Sequence, residues 1–274
     1  MSNSDLQEAM ETEKGVAVVT GASSGIGKIY ADRLAARGYD LMLVARRGDR
    51  LQAVADELKQ NYEIRVETVI ADLGDPDDLQ RLAERIGNDE NVTMLVNNAG
   101  IAVAAPTVRT SSEDIERLIS INNTALARLS LAVLPGFAAR NHGTLINIGS
   151  VQSFYSRSAS TTYSGTKAFV MLFTSGLQQE FAATGVRIQL VLPAGTATEI
   201  WELAGVDPKI MNPSMIMSAE DCVDAALAGL DLGEAVTLPS LEDEQLWAEF
   251  DALREKMFHA MQTNVPASRY SIAR

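Results

Sequence analysis

Tyr163 and Lys167 stand four residues apart in the run TTYSGTKAFV. On a helix that spacing puts both side chains on one face. A free tyrosine has a pKa of about 10, too high for a base near neutrality. A nearby ammonium favours the phenolate and lowers that value, so the pair reads as a general acid/base suited to interconverting an alcohol and a carbonyl. By itself Y-x-x-x-K also describes a partly exposed helix face, and it needs context. Ser150 supplies some. It follows the apolar run TLINI and precedes the tyrosine, and a hydroxyl at the end of a strand can hydrogen-bond the oxygen that reacts beside Tyr163. A helix-capping or loop serine is the plainer use of the same residue.

A second constellation is TGASSGIG, Thr20 to Gly27, set between the apolar VAVV and the helical pattern KIYADRLAARG. Gly21, Gly25 and Gly27 leave the main chain open to close approach. The turn after a first strand presents backbone amides and a helix N-terminus, which together suit a pyrophosphate. Ser23, Ser24 and Ile26 complete the loop, and Ser23 adds a hydroxyl. The spacing is G-x-x-x-G-x-G, not the commoner G-x-G-x-x-G, and a simple glycine turn joining strand to helix has the same look. GASSG also fits the nucleophile elbow G-x-S-x-G, with Ser23 as the nucleophile of a serine hydrolase. The two histidines weaken that alternative: His142 lies in the turn ARNHG and His259 in a late helical pattern, neither among polar loop residues.

The elements that must hold these residues follow from periodicity. Val16–Thr20, Leu41–Val44, Ile64–Ile70, Thr93–Asn97, Thr144–Ile148, Val186–Pro193 and Ala235–Leu238 read as strands, mostly continuous in apolar residues, as for parallel strands covered on both faces. Helical patterns lie between and after them at 27–37, 49–61, 76–86, 111–140, 162–183, 219–230 and 243–262. The alternation predicts an α/β fold, a doubly wound parallel sheet of Rossmann type with helices on both faces. No repeat or linker divides it, so residues 1–274 are expected to form one domain. Residues 1–14 form a flexible N-terminal segment in this reading, and 199–217, rich in methionine and other apolar residues, a lid over the substrate or a cover for its own core.

With NNAG at Asn97–Gly100, INN at Ile121–Asn123 and YSGTK at Tyr163–Lys167, the glycine loop and Ser150 fall in an order and spacing that closely resemble the short-chain dehydrogenase/reductase family over about residues 15–198. The resemblance implies an oxidoreductase passing hydride between a nicotinamide dinucleotide and a carbonyl or alcohol. Ser150 would orient the carbonyl, Tyr163 act as acid/base, Lys167 hold the nicotinamide ribose, and Asn122 anchor a water-linked proton relay. Asn97, with Asn98, Ala99 and Gly100, would support the cofactor's adenine-side ribose, while Asp72 and Leu73 would meet the adenine. Pro193, Thr196 and Thr198 would line the nicotinamide and pyrophosphate side, although Ala194 replaces the family's usual glycine. A family member selecting NAD has an acid at the end of the second strand; this chain has Ala45, then Arg46 and Arg47. Arginines there accommodate a 2′-phosphate, so NADP(H) is expected over NAD(H). A non-catalytic dinucleotide-binding regulator on the same fold is the other alternative.

The net charge of -13 argues against nucleic acid or an anionic membrane as partner. The single Cys222 suits a reducing compartment, no uninterrupted apolar run is long enough to span a membrane, and the polar start MSNSDLQEAMETEK is unlike a signal peptide, so a cytoplasmic location is expected. No metal-ligating cluster is expected. The substrate is read as a small molecule, apolar in character. The run AFVMLF at Ala168–Phe173 is apolar on more than one helix face, which implies a homodimer or homotetramer unless the last helix covers the surplus.

Overall fold

A computed structural model of the chain describes residues 14–206 and 212–270. The expected flexible N-terminus, apart from Lys14, lies outside the described residues, as do Ile210 and Met211 of the expected lid. The chain forms two compact units, one ending at Pro239 and the other beginning at Ser240.

The first unit is a seven-stranded, all-parallel sheet. Its strands are β1 (Val16–Thr20), β2 (Asp40–Ala45), β3 (Val66–Ile70), β4 (Val92–Asn97), β5 (Gly143–Ile148), β6 (Val186–Val191) and β7 (Val236–Thr237), in the order β3-β2-β1-β4-β5-β6-β7. The chain builds outward from β1 to β3, then returns to place β4 on the other side of β1. The carboxyl ends of β1 and β4 therefore flank the point where the strand order reverses, the place in such sheets where a crevice opens.

The crossovers carry α1 (Gly25–Ala36), α2 (Gly48–Asn61), α3 (Pro76–Gly87), α4 (Ser112–Ile119), α5 (Leu126–Ala139), α6 (Thr161–Glu180), the short α7 (Ile200–Leu203) and α8 (Ala219–Leu232). Strand alternation sends neighbouring residues to opposite faces. Ala17 and Val19 pack with Tyr30, Leu34, Leu51 and Leu227 under α1, α2 and α8, whereas Val18 packs with Leu82, Leu129 and Phe137 under α3 and α5. Two covered faces account for the unbroken apolar runs.

The single helical pattern expected over 111–140 is divided. A π-helical stretch, Ser120–Ala125, separates α4 from α5. The whole span Ser112–Ala139 has the length and apolarity to cross a membrane, although the sequence holds no uninterrupted apolar run of that length. More than half of its most apolar window is buried within the fold, as in a core helix. The second unit contains α9 (Gln245–Ala260), in which no residue is buried.

Candidate active site

The glycine loop is built by backbone constraint. Gly21 and Gly25 have φ of +69° and +53°, a left-handed region costly for side chains. A Cβ on Gly27 would stand 2.4 Å from the Gly21 carbonyl oxygen, so the third glycine is what lets α1 start against the loop. Asn98 secures the loop from β4, donating its side-chain amide to Thr20 O at 2.8 Å, while Thr20 Oγ1 accepts from the amides of Asn98 and Ala99, each at 3.0 Å. The N-cap Ser24 makes no capping hydrogen bond with its side chain, and the first turn of α1 holds no acid. Those open amides and missing carboxylates fit an anionic group such as a dinucleotide pyrophosphate.

Across the sheet edge, β5 ends at Ile148 and the chain turns at Ser150, whose Oγ accepts from Gln152 N at 3.1 Å. That turn packs against the start of α6. Ser164 Oγ donates to Gln152 Oε1 at 2.9 Å, which ties the Ser150 turn to the residue beside Tyr163. Tyr163 therefore lies beside this turn, close enough for Ser150 to favour its ionised form. Lys167 is buried, with Nζ donating to Ile148 O at 2.9 Å and lying 5.8 Å from the Tyr163 ring centre. The three side chains expected to share the chemistry are thus brought together.

Their electrostatics depart from expectation. Burial pushes the Tyr163 hydroxyl up to about 12, opposed only by the nearby Ser150, and the lysine does not bring it down. Burial likewise pulls the Lys167 ammonium down to about 8. The expected mutual stabilisation of a phenolate by an ammonium is absent here because desolvation disfavours both charged forms.

Asn122 and Asn123 are both buried and both reach α6 from the π-helical stretch. Asn122 Nδ2 donates to Thr166 Oγ1 and to Ile101 O, each at 3.0 Å, and its Oδ1 accepts from Ile101 N at 2.9 Å. Asn123 Nδ2 donates to Thr166 O at 2.8 Å. A Cβ on Gly100 would lie 3.4 Å from Asn122 Oδ1 and 3.7 Å from Lys167 Nζ, so the bare glycine leaves room for both side chains. Asn97 is elsewhere. Its side chain is buried under the sheet, donating to Asn147 Oδ1 and Ser130 Oγ at 3.0 Å, so it fastens β4 to its neighbours and does not face the crevice as expected.

At the end of β2, Arg46 is half exposed and 3.9 Å from Asp72. Arg47 reaches the glycine loop, donating to Ser24 Oγ at 2.8 Å and Ser23 Oγ at 3.3 Å. A serine held by a guanidinium has no base to activate it, which disfavours the hydrolase alternative. Asp72 loses proton affinity on balance: burial raises its pKa, but the Gly74 amide and the Arg117 guanidinium, 3.0 Å away, outweigh it. Leu73 is buried beside it. After β6, Pro193 O accepts from Val151 N at 3.0 Å, linking this strand end to the Ser150 turn. Thr196 is buried, and Thr198 faces Gly25, its Cγ2 3.0 Å from where a Cβ there would stand. Ser24, Gly25, Ala197, Thr198, Glu199 and Glu202 line a cleft of about 360 Å³. Among the described residues, no group of three or more His, Cys, Asp or Glu is placed to hold a metal.

Residues 15–207 match the short chain dehydrogenase family. The chain belongs to that family. A short-chain dehydrogenase from Sphingobium yanoikuyae, solved in complex with NADPH, is 42% identical, with 93% of this chain and 100% of that one aligned at a TM-score of 0.90. The bulky-bulky ketone specific alcohol dehydrogenase from Comamonas testosteroni is 36% identical over 94% of this chain and 99% of its own, at a TM-score of 0.87. The very-long-chain 3-oxoacyl-CoA reductase-A of Danio rerio is 35% identical over 208 residues, 74% of this chain. The match spans 65% of that reductase, less than two thirds of its length.

Some of this dehydrogenase's site escapes motif reading. Gln152, Ser164 and Thr166 act as struts between the turn, the π-helical stretch and α6, and no spacing rule marks a residue as a strut. Glu199 is a different case. It follows Thr198 directly and is the acid nearest in sequence to the expected cofactor threonine, a signal available beside the Arg46–Arg47 pair.

Proposed function

We propose that the chain is an NADP(H)-dependent oxidoreductase that interconverts a bulky apolar ketone and its alcohol, with Tyr163 as the general acid/base. The observation that carries this reading is the gathering of Ser150, Tyr163 and Lys167 at the carboxyl end of β5: Gln152 and Ser164 tie the Ser150 turn to the start of α6, and buried Lys167 lies 5.8 Å from the Tyr163 ring centre with Nζ on Ile148 O. In the reducing direction, Ser150 and Tyr163 hold the carbonyl oxygen, and Tyr163 gives it a proton. A hydroxyl at about 12 is protonated throughout the neutral range, as a proton donor must be. When bound, NADPH supplies the hydride. Lys167 holds the nicotinamide ribose in this scheme, and Asn122 positions the polar chain through which Tyr163 recovers its proton.

The cofactor residues follow the crevice. Gly21, Ser24, Gly25, Ile26 and Gly27 meet the pyrophosphate with Thr196 and Thr198, while Asp72 and Leu73 meet the adenine. Asn98, Ala99 and Gly100 flank the ribose, and Pro193 the nicotinamide. Ser23 and the half-exposed Arg46 are the best-placed partners for a 2′-phosphate, and Ala45 offers no carboxylate to a free 2′-hydroxyl. The apolar class of substrate is supported by exposed Phe154, Tyr155, Leu203 and Met215 and by the ketone specificity in the Comamonas enzyme's name. A coenzyme A thioester, the substrate type named for the zebrafish relative, is the alternative substrate class. The net charge of -13, and the more than half-buried window of the one apolar helical span of membrane-crossing length among the described residues, support a cytoplasmic protein that binds neither nucleic acid nor membrane.

Titration with NADPH and NADH tests the cofactor choice. NADPH should bind about 10- to 100-fold more tightly, and Arg46→Ala should remove most of that difference, the scale of one charge-assisted hydrogen bond. Equal affinities would sink the NADP assignment. A panel of bulky aryl ketones against 3-oxoacyl thioesters then decides the substrate class.

A further inference from the structure

We infer that Glu199 is a cofactor-retaining residue, its carboxylate strapping Arg47 and Arg50 to the strand-six side of the cleft and so closing that cleft over a bound dinucleotide. The inference rests on the proposed NADP(H) reading. Each oxygen of the carboxylate has its own partner: Oε2 accepts from Arg47 Nη1 at 2.7 Å and Oε1 from Arg50 Nη1 at 2.6 Å. Arg47 is engaged on both arms, because its other terminal nitrogen donates to Ser24 Oγ and Ser23 Oγ. One guanidinium therefore spans from the glycine loop to the residue that follows Thr198. Ser24 and Glu199 both line the cleft, and Arg47 joins them by bonding to each.

The chemistry of the strap suits an anion beneath it. Two guanidiniums share one carboxylate, so Glu199 organises the pair and still leaves a net positive charge of one. The Arg47 contact, then that with Arg50, lowers the Glu199 pKa, so the carboxylate stays ionised throughout the neutral range. The strap joins residues far apart in sequence. A helix-capping role is excluded, since Glu199 precedes α7 without a side-chain cap.

Stopped-flow displacement of NADPH, followed by nucleotide fluorescence, measures the release rate directly. Glu199→Gln should speed release two- to fivefold, the size expected of partly exposed ion pairs. Wild-type release should quicken with added salt, and the variant should respond less. Arg50→Ala, which leaves Arg47 in place, should shift release in the same direction by less and serves as the second variant. Thermal unfolding without nucleotide reports whether each variant is folded. Unchanged or slower release from Glu199→Gln, or tighter NADPH binding because the carboxylate had been competing with phosphate, overturns the inference while leaving the cofactor reading intact. A wild-type protein that holds no nicotinamide nucleotide overturns both.

Discussion

Lys167 is buried with one hydrogen bond, to Ile148 O, and no ion pair with a carboxylate among the described residues. Such an ammonium weakens the fold at neutral pH. Its pKa in the folded state, about 8, lies below the unfolded value of about 10.4. Between those values the unfolded chain binds more protons, so stability should rise with pH from about 8 to 10.4; below about 8 both states are charged and the fold bears the full cost. Lys167→Met should therefore lose turnover yet be more stable at pH 7, by about 1–3 kcal/mol, with the advantage shrinking at pH 9.5. Denaturant titrations at the two pH values check this, and a variant less stable at pH 7 would refute it. Tyr163→Phe should keep NADPH binding and lose about 10²- to 10⁴-fold in turnover, because the ring stays and the proton does not. The rate of reduction should fall as pH rises above about 8 and Lys167 loses its proton, whereas the tyrosine stays protonated to higher pH. That Ser150, Tyr163 and Lys167 come together was legible in the sequence, and the direction of the tyrosine's shift was not. The sign depended on burial, which spacing along a helix does not report.

Individual elements were read well where a period or a glycine fixed them. Parallel strands with two covered faces gave continuous apolar runs, and the left-handed Gly21 and Gly25 marked the loop. The π-helical stretch was hidden because Ser120–Ala125 keeps the apolar periodicity of the helices around it. Its effect is concrete: neighbouring Asn122 and Asn123, which an α-helix would turn about 100° apart, both reach Thr166. The same limit explains Asn97. NNAG indicated a polar edge, but only the pleat decides which asparagine turns under the sheet and which, like Asn98, holds the loop. Glycine replacement separates loop conformation from helix packing. Gly27→Ala puts a methyl against the Gly21 carbonyl, where only backbone can give way, and should cost about 1–3 kcal/mol with a matching fall in Tm. Gly176→Ala, in the open middle of α6, should by contrast be neutral or slightly stabilising in the monomer. Equal losses in the two variants would mean that α1 does not need its close start.

At the scale of the molecule, α6 has two demands on it. One face supports Tyr163 and Lys167 and packs on the sheet through Val170, Thr174 and Leu177. The opposite face carries Gly165, Phe169, Leu172 and Gly176 at intervals of four, three and four residues, a single helical stripe. Phe169 is 42% exposed and Leu172 58%, while a Cβ on either glycine would meet nothing within 4 Å. Nearby on the α4–α5 span, Ile119 and Leu131 are 45% and 59% exposed. Small residues flanking large apolar ones let another helix approach closely, and a helix packing on its own copy across a two-fold axis presents the same stripe from both sides. We propose that this face pairs two copies of the chain. Light scattering at micromolar concentration should then give a multiple of the 29.5 kDa chain mass. Leu172→Glu, which sets like charges against each other across the axis, should move the mass toward 29.5 kDa. Because Tyr163 begins the same helix, the monomeric variant should also lose Tm and turnover together while its free α6 frays. A monomeric wild-type protein would show that the stripe faces solvent, and that the site is held by the sheet alone.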